Sequence, residues 1–263
     1  MKKILVVGDS CIDKYIYGNC SRLCPEGPVP VFNPIETKEN FGMAFNTYAN
    51  LLVFNKKTHI LTNNNVHQIK KTRYVDEKTN HLFLRVDEND FCDSIKEDQL
   101  NFIKKENYDA IVISDYDKGF LTKEIIIDIC KMAPYSFVDS KKKLDGIEKV
   151  ATFIKINKEE YKNNFNLVDT FPEKFIITLG GDGVKYKEKI YKPLKTFQTF
   201  DVSGAGDVFL ASFVYKILKI DTYNLPYNIY SILNIEEAIN FAQSCCSMVI
   251  QKRGTCIYEE NMH

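Results

Sequence analysis

The sequence carries no surplus of charge: lysine plus arginine and aspartate plus glutamate each number 35 among its 263 residues. That balance gives no electrostatic ground for a nucleic-acid or anionic-membrane partner. No stretch approaches the roughly 20 consecutive apolar residues that a spanning helix needs. The run Met1-Lys-Lys-Ile-Leu-Val-Val-Gly8 meets a glycine and an aspartate too early for a signal peptide. None of the eight cysteines stands in a Cys-x-x-Cys pair, and several lie in apolar segments where a thiol packs as a small hydrophobe. Reduced thiols in a cytoplasmic protein are therefore expected. The four histidines are scattered, which removes support for a hydrolase triad. The lack of Gly-x-x-x-x-Gly-Lys-Ser/Thr excludes a Walker phosphate loop.

What is present is enough apolar residue, 44%, to build the core of one large α/β domain spanning residues 1–263. Ile4-Val7, Ala110-Ser114, Ser136-Asp139, Phe153-Ile156 and Phe175-Thr178 are short, bounded apolar runs of the kind that become strands buried on both faces. Helix-like stretches separate several of them, such as Thr122-Met132, where Thr122 suits an N-cap. This alternation predicts a doubly wound, mainly parallel sheet flanked by helices. Ligands in such sheets bind beyond the carboxyl ends of the strands, where Gly8-Asp9, Ser114-Asp115-Tyr116, Asp139, Asn157 and Thr178-Leu-Gly180 fall. Strand-type residues around turn signals interrupt the first βα unit. They predict a small β-sheet lid over the rim, formed by segments about 14–40 and 70–90.

The strongest local signal is Asp201-Val-Ser-Gly-Ala-Gly-Asp207, followed by an apolar run to Leu218. Small residues there let the backbone approach a ligand, and a helix starting there turns its N–H groups and positive end toward an anion. Asp207 is then placed to take a proton from a hydroxyl attacking a γ-phosphorus. A Gly-rich turn with an aspartate near a helix start is the structural alternative.

This turn resembles the carboxy-terminal signature of the ribokinase-like (PfkB) carbohydrate kinases. Thr178-Leu-Gly-Gly-Asp-Gly183 is similar to that family's nucleotide loop, and Asn157-Lys-Glu-Glu160 to its magnesium motif. Gly8-Asp-Ser-Cys-Ile-Asp13 resembles its first-strand sugar motif. Gly42-Met-Ala-Phe-Asn46 resembles its second, with Phe41 in place of the leading glycine. Ser21-Arg-Leu-Cys-Pro-Glu-Gly-Pro-Val-Pro-Val31, Ser114-Asp-Tyr-Asp-Lys-Gly119 and Asp139-Ser-Lys141 resemble the heptose 7-phosphate kinase branch.

The resemblance implies a kinase using ATP and Mg²⁺ to phosphorylate a sugar or sugar phosphate. Asp207 would be the base, with an anion hole at Gly204, Ala205 and Gly206. Thr178, Gly180, Gly183 and Gln243 would line the nucleotide site. Asn157 and Glu160 would organise Mg²⁺, the latter through water. Asp13, Gly42 and Asn46 would hold the sugar, joined by the basic residues Arg22, Lys71, Lys118 and Lys141. Asp201 matches a position that borders a monovalent cation, K⁺, in some members. The lid further implies a homodimer. Two departures qualify the acceptor: Phe41 adds bulk, and the stretch from Asn46 to Lys71 is shorter by about one βα unit. Also open are a kinase for fructose, ribose, a nucleoside or a fructose phosphate, and a catalytically silent sugar- or nucleotide-binding protein. The resemblance covers the kinase half of its bifunctional relatives.

Overall fold

A computed structural model describes residues 1–193, 199, 201–221 and 232–259. The chain opens with strand β1 (Ile4–Gly8), continues through the long strands β2 (Ser10–Leu23) and β3 (Pro30–Met43), and enters helix α1 (Ala44–Phe54). Strands β4 (Thr58–Thr62), β5 (Lys70–Asp76) and β6 (Leu82–Glu88) precede α2 (Glu97–Lys105). From there strands and helices alternate: β7 (Ala110–Asp115), α3 (Lys123–Cys130), β8 (Tyr135–Ser140), α4 (Ile147–Val150), β9 (Phe153–Asn157), α5 (Lys158–Asn163), α6 (Phe165–Thr170) and β10 (Phe175–Thr178). The short strands β11 (Val184–Tyr186) and β12 (Lys189–Tyr191) and the long helices α7 (Ala205–Asp221) and α8 (Ile232–Val249) complete the described elements.

β1 shows why the sheet lies in the middle. Successive strand side chains point to opposite faces. Leu5 and Val7 join a core with Ile103 of α2, Ile126 and Ile129 of α3 and Ile147 of α4. Ile4 and Val6 join a second core with Leu51 of α1, Phe209 and Phe213 of α7 and Ile239 of α8. Both faces are covered, so the strand has no polar alternation to keep. The large sheet runs β12-β11-β10-β9-β8-β7-β1-β4 and is parallel from β10 to β4, with β11 and β12 added antiparallel. The five predicted strands are all present, and Thr122 caps α3 by accepting the Ile125 N–H.

The smaller sheet has the order β3-β2-β5-β6, with β2 parallel to β5 and the outer pairs antiparallel. It is anchored where β2 leaves β1 and where β3 turns into α1. Met43 makes that second turn with a φ of 62°, in the left-handed region. β3 and β6 are exposed over most of their length. Asn63 serves the shortened 46–71 stretch structurally: it is buried and its Oδ1 accepts the Ser10 N–H at 2.8 Å, tying β4's end to the start of β2. Among the described residues no helix is long and apolar enough to cross a membrane.

Replacing the exposed Thr122 by alanine removes the oxygen that satisfies an orphan helix N–H. Chemical denaturation should show a loss of about 1 kcal/mol, the usual cost of an N-cap. An unchanged midpoint would contradict the capping role.

Candidate active site

The parallel strands end along one rim, and a cavity of about 750 Å³ opens there. Its walls come from the loop after β7 (Tyr116), β8 and its exit (Asp139, Lys141), β9 (Lys155, Asn157), the turn from Thr178 to Gly183, the start of α7 (Ala205, Gly206) and α8 (Gln243). Thr178, Gly180, Gly183, Asn157 and Gln243 are thus brought together as the sequence predicts. Gln243 donates through Nε2 to the Tyr191 carbonyl at 2.8 Å, while its buried Oε1 has no hydrogen-bond partner among the described residues. An unpartnered acceptor in a cavity wall suits a ligand donor.

Asp207 lies behind this wall, 4% exposed, in the first turn of α7. Its Oδ2 accepts from Asn46 Nδ2 at 2.9 Å, and its Oδ1 from Tyr116 Oη at 2.7 Å and Thr47 Oγ1 at 3.2 Å. Burial pushes its pKa up from 3.8 to about 6. The Tyr116 and Asn46 hydrogen bonds and Lys155 oppose that rise, and Asp139 adds to it. Near neutral pH the carboxylate is therefore largely ionised yet close enough to titration to accept a proton. Asn46, expected at the sugar, is engaged with Asp207. Asn50 Nδ2 donates to its Oδ1 at 3.1 Å, fixing which end of the amide faces Asp207. Gly204 makes room for that amide: at φ +79° its backbone lies so near that a Cβ would stand 2.6 Å from Asn46 Nδ2.

The expected cradle of three amides is narrower than the sequence suggests. Ala205 N–H donates to the Val202 carbonyl at 3.2 Å because the turn closes on itself. Gly206 lines the cavity, and beside it stands a cation that sequence reasoning missed: Lys155 Nζ, 3.1 Å from where a Gly206 Cβ would be. Lys155 is buried and paired with Asp139 Oδ2 at 2.5 Å. A lysine inside the apolar run Phe153-Ile-Lys-Ile-Asn157 was the available signal, since a buried ammonium needs a partner or a ligand. Tyr116 and Thr47 were missed as well, because nothing local marks them as neighbours of Asp207.

Asn157 and Glu160 form a capping box on α5. Asn157 Oδ1 accepts the Glu159 and Glu160 N–H groups at 2.9 Å each, and Glu160 Oε2 accepts the Asn157 N–H at 2.8 Å. Glu160 Oε1 pairs with Lys141, which also stands 3.7 Å from Asp139 Oδ1. Among the described residues no group of three or more His, Cys, Asp or Glu stands together as a metal cage. Asp201 accepts the Ser203 N–H at 2.8 Å and the Gly254 N–H at 3.1 Å, pinning the turn ahead of α7.

At the base of the small sheet, Asp13 is buried and accepts from Arg73 at 2.6 Å. Gly42 packs against it so closely that any Cβ would collide with Asp13 Oδ2. Lys71 is buried, 3.7 Å from Asp90 Oδ1, and Lys118 pairs with the other oxygen of Asp90. Arg22 is not part of this group. It is exposed near the far end of β2, nine residues from Asp13, on the order of 30 Å at ~3.3 Å per residue. Phe41 does not crowd the Asp13 side either. Alternation turns it to the face opposite Gly42, where its ring stacks on Phe45 at 4.3 Å.

Residues 137–262 match the family model for pfkB family carbohydrate kinases. Over 96% of its length the chain is 28% identical to the "Bifunctional protein HldE" of a Nitratiruptor species, and it spans 62% of that relative. Among solved structures, the ribokinase of Thermotoga maritima aligns with a TM-score of 0.71 at 16% identity, covering 100% of this chain and 98% of the other. The Arabidopsis thaliana ribokinase complexed with ribose and ATP aligns with a TM-score of 0.63 at 13% identity, covering 99% and 97%. Residues 137–262 are thus similar to the pfkB family carbohydrate kinases, and the fold is of the ribokinase type.

Proposed function

We propose that the protein transfers the γ-phosphoryl group of MgATP to a hydroxyl of a phosphorylated sugar, with a heptose 7-phosphate as the favoured acceptor. The observation that carries this reading is a buried carboxylate, Asp207, one residue from a glycine that lines a nucleotide-sized cavity. In the proposed step the acceptor hydroxyl gives its proton to Asp207 as its oxygen bonds to the γ-phosphorus. The bond from phosphorus to the ADP oxygen breaks, and its electron pair leaves on ADP. Gly206 N–H and the Lys155 ammonium would face the charge on the migrating group, a fixed donor and cation that need little reorganisation.

On the nucleotide side, the turn from Thr178 to Gly183 offers backbone to the phosphates and ribose, and the unpartnered Gln243 Oε1 offers an acceptor to the adenine amino group. Mg²⁺ would neutralise the β- and γ-phosphates. Glu160 and Asp139 would hold it through water, and the buried Asp139 Oδ1, which has no hydrogen-bond partner among the described residues, fits that role. Asp201 is the proposed neighbour of a monovalent cation. On the acceptor side, Asp13 would take sugar hydroxyls. Lys71 and Lys118 share one carboxylate, Asp90, and their one uncompensated positive charge suits a phosphate on the acceptor. This likeness to the heptose 7-phosphate kinases is why that acceptor is favoured, with the small sheet as the lid that covers it.

ADP release is the direct test, with ATP, Mg²⁺ and each of heptose 7-phosphate, fructose 6-phosphate, fructose and ribose. The heptose phosphate should give the highest kcat/KM. Asp207→Asn should lower kcat at least about 100-fold while nucleotide affinity is kept, because the amide keeps the shape and loses the base. No ADP above background with any acceptor would end the kinase reading. Preference for another sugar would move the acceptor alone.

A further inference from the structure

Tyr116 stands within a base's reach of Asp207. A general base works on a proton held within about 2.6–3.2 Å, and the Tyr116 phenol donates to Asp207 Oδ1 at 2.7 Å. Thr47 fills the second lone pair of the same oxygen, and Asn46 holds Oδ2. Three of the four acceptor positions of the carboxylate are therefore engaged, both of those on Oδ1.

The ring lines the cavity, with two ammonium groups near it, those of Lys71 and Lys141, each 5.8 Å from its centre. Lys71 comes from β5 on the Asp13 side. Lys141 comes from the exit of β8, beside Asp139 and Glu160. The phenol is thus at the boundary between the two halves of the site. Its main chain is fixed, because Tyr116 N–H donates to Asp9 Oδ2 at 2.7 Å. Movement is left to the side chain. Burial, with Asp207 and Asp139 nearby, holds the phenol's pKa well above its usual value, so Tyr116 stays a donor.

We propose that in the sugar-free enzyme the Tyr116 hydroxyl occupies the acceptor's place on Asp207, and that an entering polyol displaces it, so that Tyr116 selects sugar over water. The proposal rests on the kinase reading above. A water molecule brings one contact and competes poorly with a hydroxyl tethered at high effective concentration. A sugar also meets Asp13 and the small sheet, and those added contacts offset the loss of the phenol. With the phenol gone, water could sit on Asp207 and attack. Its oxygen would bond to the γ-phosphorus, its proton would pass to Asp207, and ADP would leave with the electron pair of the broken bond.

Tyr116→Phe keeps the ring and deletes the hydroxyl. With ATP and Mg²⁺ alone, ADP release by the variant should rise about tenfold, the scale of one hydrogen bond to a charged group. With whichever of heptose 7-phosphate, fructose 6-phosphate or ribose the wild type turns over fastest, the acceptor KM should fall, since the hydroxyl competes with binding. A melting curve matching wild type shows that the variant is folded. A crystal structure of the wild type with that acceptor gives a readout independent of the variant, with Tyr116 Oη withdrawn from Asp207. Unchanged hydrolysis with an unchanged or higher KM, or an acceptor-bound structure retaining the phenol–carboxylate bond, overturns the proposal and leaves the kinase reading in place. A wild type that releases no ADP with any acceptor overturns both.

Discussion

The site depends on one buried carboxylate and the donors that keep it in place. Asp207 comes from α7, Asn46 and Thr47 from α1, and Tyr116 from the loop after β7. These elements pack on one another: α1, α7 and α8 share the core beneath one face of the large sheet. The arrangement costs stability. Because burial raises the Asp207 pKa above its unfolded value, the folded chain retains a proton that the unfolded chain has released. Stability therefore falls as pH rises from about 3.8 to about 6, and the hydrogen bonds to the ionised form limit the loss. A carboxylate kept so costly in the folded state is better explained by chemistry than by packing.

Around this centre the charges are arranged as partners. Asp9 accepts the N–H groups of Tyr116, Lys118 and Phe120, which shapes the loop that carries the phenol. Asp115 is buried beneath it and raised to about 6 by that burial, against the hydrogen bonds of Ser140 and Lys142. Lys155 and Lys141 converge on Asp139, and Lys71 and Lys118 on Asp90. Each cation has a carboxylate partner, which lowers the cost of burial, and the pair on Asp90 keeps one uncompensated positive charge.

Much of the frame was legible in the sequence because it is local. A short apolar run bounded by glycine or aspartate is a strand whichever neighbours it finds, as with Ile4–Gly8, and Thr122 three residues before Ile125 is a cap by spacing alone. The site was legible where a motif folds onto itself, as in the turn from Thr178 to Gly183. It was not legible where contacts join distant residues. Asn46 and Thr47 lie 161 and 160 positions from Asp207, and Tyr116 lies 91 away. The same limit explains the contacts that were not foreseen. Asn46 bonds to Asp207, the Ala205 amide closes its own turn, and Arg22 is carried away by the length of β2. Asn157 and Glu160 fit a capping box as well as a metal motif, and their spacing alone could not separate the two.

The central claim is that residue 207 is a carboxylate whose proton affinity has been raised into a working range by burial. Carboxyl-carbon NMR of the protein with ¹³C-labelled aspartate, assigned by the spectrum of Asp207→Asn, follows that one group through a pH titration. The account predicts a midpoint near 6. A midpoint at or below the ordinary aspartate value of about 3.9 would contradict it.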